Sequence, residues 1–517
     1  MISESQTRSQ KFAMTVAGLL LLTTAGLLVH GYHYGIEDQA IYLPAIKQAL
    51  NHELYPKDSI FFAPQTKATL STWLVAGSAR LLNAPVDVTV FAWHVLSVFL
   101  FLGGCLAVAR RVFASERACW GSVAFVTALL TLPVTGTALY LVDQYLHPRT
   151  LAMAFVLFAV AIVLPGTRAR TGTKQLLAAV ALIAAAALIH VMMAFFGAVF
   201  VAVLAVSEFI AARSRTSANV AYAALALPLS QFFEPGTPEW IEAARTRSQH
   251  YLVRWEWFEW LGIAGPLVVL WWLASIAERK HLEALAALCR RTVWFGLGFF
   301  AIGLATIPAA MERITPYQPM RAFHIVYLVL VLAAGGLIAD YVLKAKAWRW
   351  MLLFVPLCLG LFAAQRSLFE YSRHIEWPGA RTGNPWVEAF HWVRSNTPTD
   401  AYFALDPHYI SHPGEDYHGF RGLAERSQLA DWDKDAGVVS LFPSVARRWH
   451  DEVHAILNWR EFQKEDFARL NQQFGVDWVV IAKPRLPEGV PGVVPEYMVP
   501  LQDCPYQNAA VYVCRVR

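Results

Sequence analysis

Long apolar runs separated by short basic gaps constrain this chain more than any other feature. Runs of spanning length occur at about 13–30, 86–109, 118–137, 150–165, 260–277, 292–310, 322–343 and 350–366, taking roughly 17–25 residues as one span. The stretch 175–208 is too long for one helix, and His190 near its middle predicts two short helices meeting there. With a weaker segment at 217–231, closed by Pro228 and the polar run after it, the same length rule gives about eleven spans. The 517 residues are 56% hydrophobic and 16% charged, less charge than a soluble chain of this length carries. That average hides a split, because 13–366 holds the apolar runs and 367–517 reads like a soluble domain. The expected fold is a polytopic α-helical membrane domain over 1–383, with a first outer loop at 31–85, followed by a small soluble α/β domain over 384–517.

Positive charge orients the runs. Arg8 and Lys11 precede the first; Arg110, Arg111 and Arg117 follow the second; Arg168, Arg170 and Lys174 follow the fourth; Arg213 and Arg215 follow the sixth. Arg279, Lys280, Arg290 and Arg291 follow the eighth, and Lys344, Lys346 and Arg349 the tenth. Basic gaps stay on the cytoplasmic side, which puts the N-terminus inside and the C-terminal domain outside. The first run lacks an A-x-A-like cleavage site and continues into an acidic loop, so it is read as an anchor. The net charge of +5 is mostly this bias, and no basic patch interleaved with aromatics marks the soluble part for nucleic acid. Of six cysteines, Cys105, Cys119, Cys289 and Cys358 lie in or beside apolar runs and read as core residues. Cys504 and Cys514 flank a hairpin turn at Tyr506–Asn508 and are candidates for a disulfide in an oxidising compartment, although spacing alone does not set its geometry. No C-x-x-C or Cys/His zinc spacing occurs.

Within the first outer loop, Ile41, Ala45, Ile46, Ala49 and Leu50 fall on one helical face opposite Lys47 and Gln48, which predicts a helix lying on the membrane surface. Tyr55–Asp58 turns the chain, and Ser71–Leu82 predicts a second short interfacial helix. The aromatic-rich segment 232–260 reads as an interfacial belt in preference to a stacking platform for substrate. In the exported domain, Pro385–Asn396, Phe420–Leu429 and Arg460–Phe474 are expected as helices, and Ala401–Leu405, Asp477–Ala482 and Ala510–Val516 as strands. His408, His412, His418, Arg421 and Arg426 are expected there as solvated loop charges.

Several constellations carry chemistry. The polar run from His30 to Gln39, immediately after the first apolar run, brings Glu37, Asp38 and His33 to a membrane exit, where ionisable groups are costly and therefore used. A carboxylate there can take a proton from an acceptor hydroxyl or hold a divalent cation. The competing reading makes Asp38 the N-cap of the helix behind it. The second outer loop contributes Asp143, His147 and Arg149, against which stands ordinary capping and snorkelling at span ends. Arginine suits phosphate because its planar fork bonds bidentately and stays charged. Arg321 opens a span on its outer side, where cations are disfavoured, with His324 one turn on. A lipid phosphate would compensate Arg321, and so would Glu312 or another outer acid. His190 reads first as a satisfied polar residue at a helix break. Neither G-x-x-x-x-G-K-[ST] nor G-x-G-x-x-G is present, which argues against a nucleotide-driven pump and against a Rossmann nucleotide-sugar enzyme.

The run Gly35–Tyr42, the helices behind it, the Asp143 loop, the outer-edge Arg321, the hairpin at Leu188–His190 and the tail Trp392–Phe403 together resemble the GT-C superfamily of integral membrane glycosyltransferases that use polyprenyl-phosphate-linked sugars, here with a fused extracytoplasmic C-terminal domain. The resemblance implies transfer from a polyprenyl-phosphate-linked sugar donor to a glycan, lipid or protein acceptor on the extracytoplasmic face, among membrane lipids; the absence of eukaryotic targeting signals places this multi-pass protein in the bacterial inner (cytoplasmic) membrane. It implies a general base at Asp38, with Glu37 as the other choice, and donor-phosphate binding at Arg321; a sugar-phosphate leaving group needs its charge neutralised, for which Arg149 is suitable as well. Some members hold a divalent metal, Mg or Mn, between acids of the first two outer loops; here that set would be Glu37 or Asp38 with Asp143. Neither loop contains D-x-D or E-x-D, so the metal is the weakest implication. His33, His190 and His324 are secondary candidates. The rival functions are a transporter or flippase for a lipid-linked or anionic solute, and a non-enzymatic envelope protein whose exported domain binds a partner. A transporter would carry ionisable groups along a path through the bilayer, whereas here they crowd the outer edge.

Overall fold

The computed structural model describes residues 2–67, 69–164, 172–212, 236–308, 312–483 and 501–516. The expected span at 217–231 and the gap residues Arg168, Arg170, Arg213 and Arg215 lie outside them. The chain forms two compact units: a membrane unit of Met1–Gly31, Ala92–Gly236 and Ser248–Ala363, and a second unit of Tyr32–Phe91, Thr237–Arg247 and Ala364–Arg517.

Six helices among the described residues are long and apolar enough to cross a membrane: Ser9–His30, Val86–Val112, Trp257–Arg279, Glu283–Ala305, Thr315–Leu343 and Ala347–Leu368. Three shorter apolar helices, Pro148–Val163, Thr173–Ile189 and Val191–Ala205, accompany them. The stretch 175–208 breaks at His190, whose Nδ1 accepts the Met193 amide at 3.3 Å. The run at 118–137 is not one helix. Glu116–Ala128 is helical, and the chain then turns into an antiparallel pair, β1 (Pro133–Val134) and β2 (Leu139–Tyr140). Pro133 cannot donate to a helical ladder and disfavours a helical residue before it. Gly136 sits in the turn with φ +59°, and a Cβ there would lie 2.4 Å from the Trp255 ring. Farther along, Gly335 and Gly336 let the Phe323–Leu337 helix approach Phe125 and Phe113 closely, and Ser122 Oγ donates to the Leu332 carbonyl at 2.9 Å.

The second unit is built on a five-stranded mixed sheet in the order β4-β3-β5-β7-β6, with β3 (Tyr402–Leu405), β4 (Ser427–Gln428), β5 (Trp478–Ala482), β6 (Tyr506–Gln507) and β7 (Val511–Arg515). The β3 strand runs parallel to β4 and β5, whereas β7 is antiparallel to β5 and β6. Cys504 and Cys514 are joined by a disulfide across the β6–β7 hairpin. The helix Pro385–Asn396 packs Trp386, Phe390 and Val393 into a core with Phe403, Trp478 and Val513. Phe420–Leu429 is not one helix: it is a short helix, Phe420–Ala424, a left-handed Glu425 and then β4.

The first outer loop groups with this unit. Its helix Gln39–Leu50 does not lie with a solvated polar face; Gln39 to Lys47 are all buried, and Lys47 pairs with Glu425 at 2.7 Å. A side chain at Gly419 would meet Ala40 Cβ at 2.6 Å and Cα at 2.8 Å, so glycine lets this helix close against Phe420–Ala424. The helix Ser71–Leu82 leaves Trp73, Leu74, Leu81 and Leu82 exposed, the face an interfacial helix presents to lipid. The aromatics between 236 and 260 divide. Trp240 and Trp255 are buried, whereas Trp257 and Phe258 are exposed as belt residues would be.

Candidate functional site

The acidic pair of the first outer loop is held by a backbone clamp inside the second unit. Gly419 N–H donates to the Gly35 carbonyl at 2.8 Å, Glu37 N–H donates to Tyr417 at 2.9 Å, and Ile36 bridges His418. Glu37, Asp416 and Tyr417 all have left-handed backbones, with φ of 52°, 60° and 66°. Three non-glycine residues in that region within one hydrogen-bonded contact store strain of about 1–3 kcal/mol each, a pattern concentrated at functional positions.

Asp38 occupies the N-cap position of the Gln39–Leu50 helix but makes no side-chain capping bond. Its Oδ1 lies 3.3 Å from Lys434 Nζ, which also donates to Glu37 Oε2. The Lys434 side chain is 9% exposed, whereas those of Glu37 and Asp38 are 37% and 35% exposed, so the cation is covered and the carboxylates remain reachable. Burial alone would lower the Lys434 pKa, but the charges of Glu37 and Asp38 outweigh it and raise it, keeping the ammonium charged. Lys434 starts the helix Lys434–Leu441, whose first amides are taken by Asp431 Oδ1 at 2.5 and 3.1 Å. Glu415, fully buried, is pushed well above the carboxylate range by burial and by the charges of Asp416 and Glu37, which favours its protonated form.

This geometry tests the divalent-metal implication. An ammonium already occupies the position between Glu37 and Asp38 that a cation would take. In the membrane unit, both oxygens of Asp143 accept from Arg149, at 2.8 and 2.7 Å, with both side chains buried. Neither half of the set fits a metal as it stands.

Two networks hold the clamp. Arg421 is buried and bonds Asp58 at 2.5 Å and Asp435 bidentately at 2.8 Å, with Asp431 at 3.9 Å. Burial and the Asp431 charge raise the Asp435 pKa despite Arg421. The second network is His33–Glu376–His418, with Glu376 3.6 Å from His33 and 3.1 Å from His418, and with Glu376 Oε2 accepting the Tyr34 amide at 2.8 Å. The expected solvated charges Arg421, Arg426 and His418 are therefore buried structural groups, because each finds carboxylate or backbone partners inside the fold. His33 is likewise buried, stacked on Phe369.

The Glu376–His418 pair sets a pH window. Burial would raise the Glu376 pKa, but His418 and His33 hold it far below 4.5. Its contribution to stability is present above that value and is lost as pH falls. Burial would lower the His418 pKa, but Glu376 raises it above 6.5, so its contribution is present below that value and is lost as pH rises through the raised pKa. Stability from the pair is greatest between pH 4.5 and 6.5. Glu376→Gln is expected to flatten the melting temperature against pH on both sides, measured by thermal unfolding from about pH 2 to 9.

In the membrane unit, His147 Nδ1 accepts the Arg149 amide at 3.0 Å and caps the Pro148–Val163 helix. Its ring lies 5.6 Å from that of His190. His324 bonds the Leu141 carbonyl at 2.9 Å. His147, Arg149 and His190 thus lie together, with Arg149 neutralised by Asp143. Lys434 escaped the sequence reading because nothing local distinguishes it; the acid-rich run Asp431–Asp435 around it was the available signal.

No family model and no curated protein matches the chain. Among solved structures it is similar to the archaeal oligosaccharyltransferase AglB from Archaeoglobus fulgidus, in complex with an inhibitory peptide and a dolichol-phosphate, at 12% identity and TM-score 0.41, over 91% of this chain and 70% of that one. It is also similar to the arabinofuranosyltransferase AftD from Mycobacteria, at 15% identity and TM-score 0.45, over 98% of this chain and 40% of that one, so it spans less than half the length of AftD.

Proposed function

We propose that this protein is a membrane glycosyltransferase that moves a sugar from a polyprenyl-phosphate-linked donor to an acceptor hydroxyl on the extracytoplasmic face of the bacterial inner membrane. The observation that carries this reading is the Glu37–Asp38–Lys434 cluster: two reachable carboxylates on a strained loop, held by a covered ammonium. Asp38 acts as the base. It takes the acceptor hydroxyl proton while the hydroxyl oxygen bonds the anomeric carbon and the bond from that carbon to the donor phosphate oxygen breaks, the electron pair leaving with the polyprenyl phosphate. Lys434 offsets the repulsion between the adjacent carboxylates and holds Asp38 and Glu37 in place. Charge on the departing phosphate needs cations, a role we give to Arg321 in the membrane unit, with Arg149 second because Asp143 already neutralises it.

The test is mass spectrometry of lipids that co-purify, in mild detergent, with the wild-type protein and with Arg321→Ala. A polyprenyl phosphate or its sugar conjugate is expected on the wild type and strongly depleted from the variant. Absence of such a lipid from both preparations counts against the lipid-linked donor, and equal amounts on both remove Arg321 from its binding.

A further inference from the structure

A second cluster in the same unit lies on other helices and bears on different chemistry. His450 and His454 are four residues apart on the helix Ala446–His454, so both rings leave one face. They stack with centroids 4.0 Å apart at 26°. Glu242, on the helix Pro238–Arg245, reaches both: Oε1 is 2.8 Å from His454 Nε2, and Oε2 is 3.5 Å from His450 Nε2. One ligand atom from each of the three lies within 4.8 Å of the others. A tetrahedral zinc with bonds of roughly 2.0–2.1 Å holds its ligand atoms about 3.3 Å apart. The observed 2.8 and 3.5 Å bracket that spacing, and rotation of the two stacked rings about their side-chain bonds would turn both Nε2 atoms toward one ion.

The surroundings favour a metal over a plain ion pair. His450 Nδ1 lies 3.5 Å from Asp451 Oδ1, so a carboxylate stands behind the ring on the side away from Nε2, as outer partners of metal-bound histidines do. The three side chains are 33% to 41% exposed, which gives a metal an entry path and leaves a fourth position for water. Two imidazoles and one carboxylate suit zinc and other late divalent transition metals, not magnesium or calcium.

We propose that Glu242, His450 and His454 form a binding site for a divalent transition metal of the zinc class. Bound there, the metal ties the segment Thr237–Arg247 to the helix Ala446–His454 and braces the second unit.

The test is calorimetric titration of tag-free, full-length protein in detergent, first stripped with a chelator, with zinc and separately with magnesium. One zinc per chain is expected, with no magnesium binding and a rise in melting temperature on zinc addition. Asp451→Asn is expected to weaken zinc binding by roughly 10–100-fold, as loss of an outer partner does, and His454→Ala by more than that. His52→Ala, a substitution at an exposed histidine elsewhere in the unit, is expected to change neither readout. The proposal is overturned by absence of saturable zinc binding to the wild type, or by undiminished binding to the His450→Ala/His454→Ala double variant.

Discussion

Asp38→Asn is expected to lower sugar transfer by roughly 10²–10⁴-fold, the contribution of a well-placed general base, while leaving the protein folded. The substitution keeps the shape of the side chain and removes only its ability to take a proton. It takes no capping bond from the Gln39–Leu50 helix, because Asp38 makes none. Its contact with Lys434 is 3.3 Å long and half-open to solvent, so its loss should alter stability by no more than about 1 kcal/mol, and Glu37 still holds the ammonium. The measurements are initial transfer rates from a polyprenyl-phosphate-linked donor, with melting temperature as the control. Wild-type turnover in Asp38→Asn would remove this residue from the chemistry and leave Glu37 as the acid to test. A large fall in melting temperature would instead mark Asp38 as structural.

The long apolar helices, six of spanning length among the described residues, were legible because hydropathy and length report them directly. The break at His190 could be read from a run too long for one span, and it falls where expected. The run at 118–137 misled because its composition stays apolar through Pro133 and Gly136, where backbone geometry and not hydropathy decides the turn. Glu37 and Asp38 stood out because paired acids at a membrane exit are costly. Their partner did not, since Lys434 is almost 400 residues away, 397 from Glu37, and sits on a short helix with no apolar periodicity. The helix Ala446–His454 was missed for a related reason: it is short, polar and carries Arg447, Arg448, Asp451 and Glu452 in succession with two histidines. The i,i+4 histidine spacing was the readable clue there. Arg421 was misjudged because a loop rich in Gly and Pro looks solvated, whereas the acids that bury it, Asp58 and Asp435, come from separate segments.

Arg421→Met is expected to destabilise the second unit by about 3–5 kcal/mol, the largest stability effect of any single change considered, because it leaves buried carboxylates without their cation. Asp58, Asp431 and Asp435 are each no more than 2% exposed, and Arg421 is the cation shared by all three. Methionine fills much of the arginine volume, so the loss measures uncompensated charge more than a cavity. The consequence should reach the acidic pair. Arg421 lies in the short helix after Gly419, and Gly419 N–H holds the Gly35 carbonyl two residues before Glu37. Turnover is therefore expected to fall together with stability in this variant, unlike in Asp38→Asn. Neutralising the stranded acids should reverse both effects in part, since removing a whole buried ion cluster costs far less than removing one sign of it. Equilibrium unfolding of Arg421→Met beside Arg421→Met/Asp58→Asn/Asp435→Asn checks this. If the triple variant is no more stable than the single one, uncompensated charge is not the cause and the loss lies in packing against Phe61 and Tyr55, which the guanidinium and the backbone carbonyl of Arg421 respectively contact.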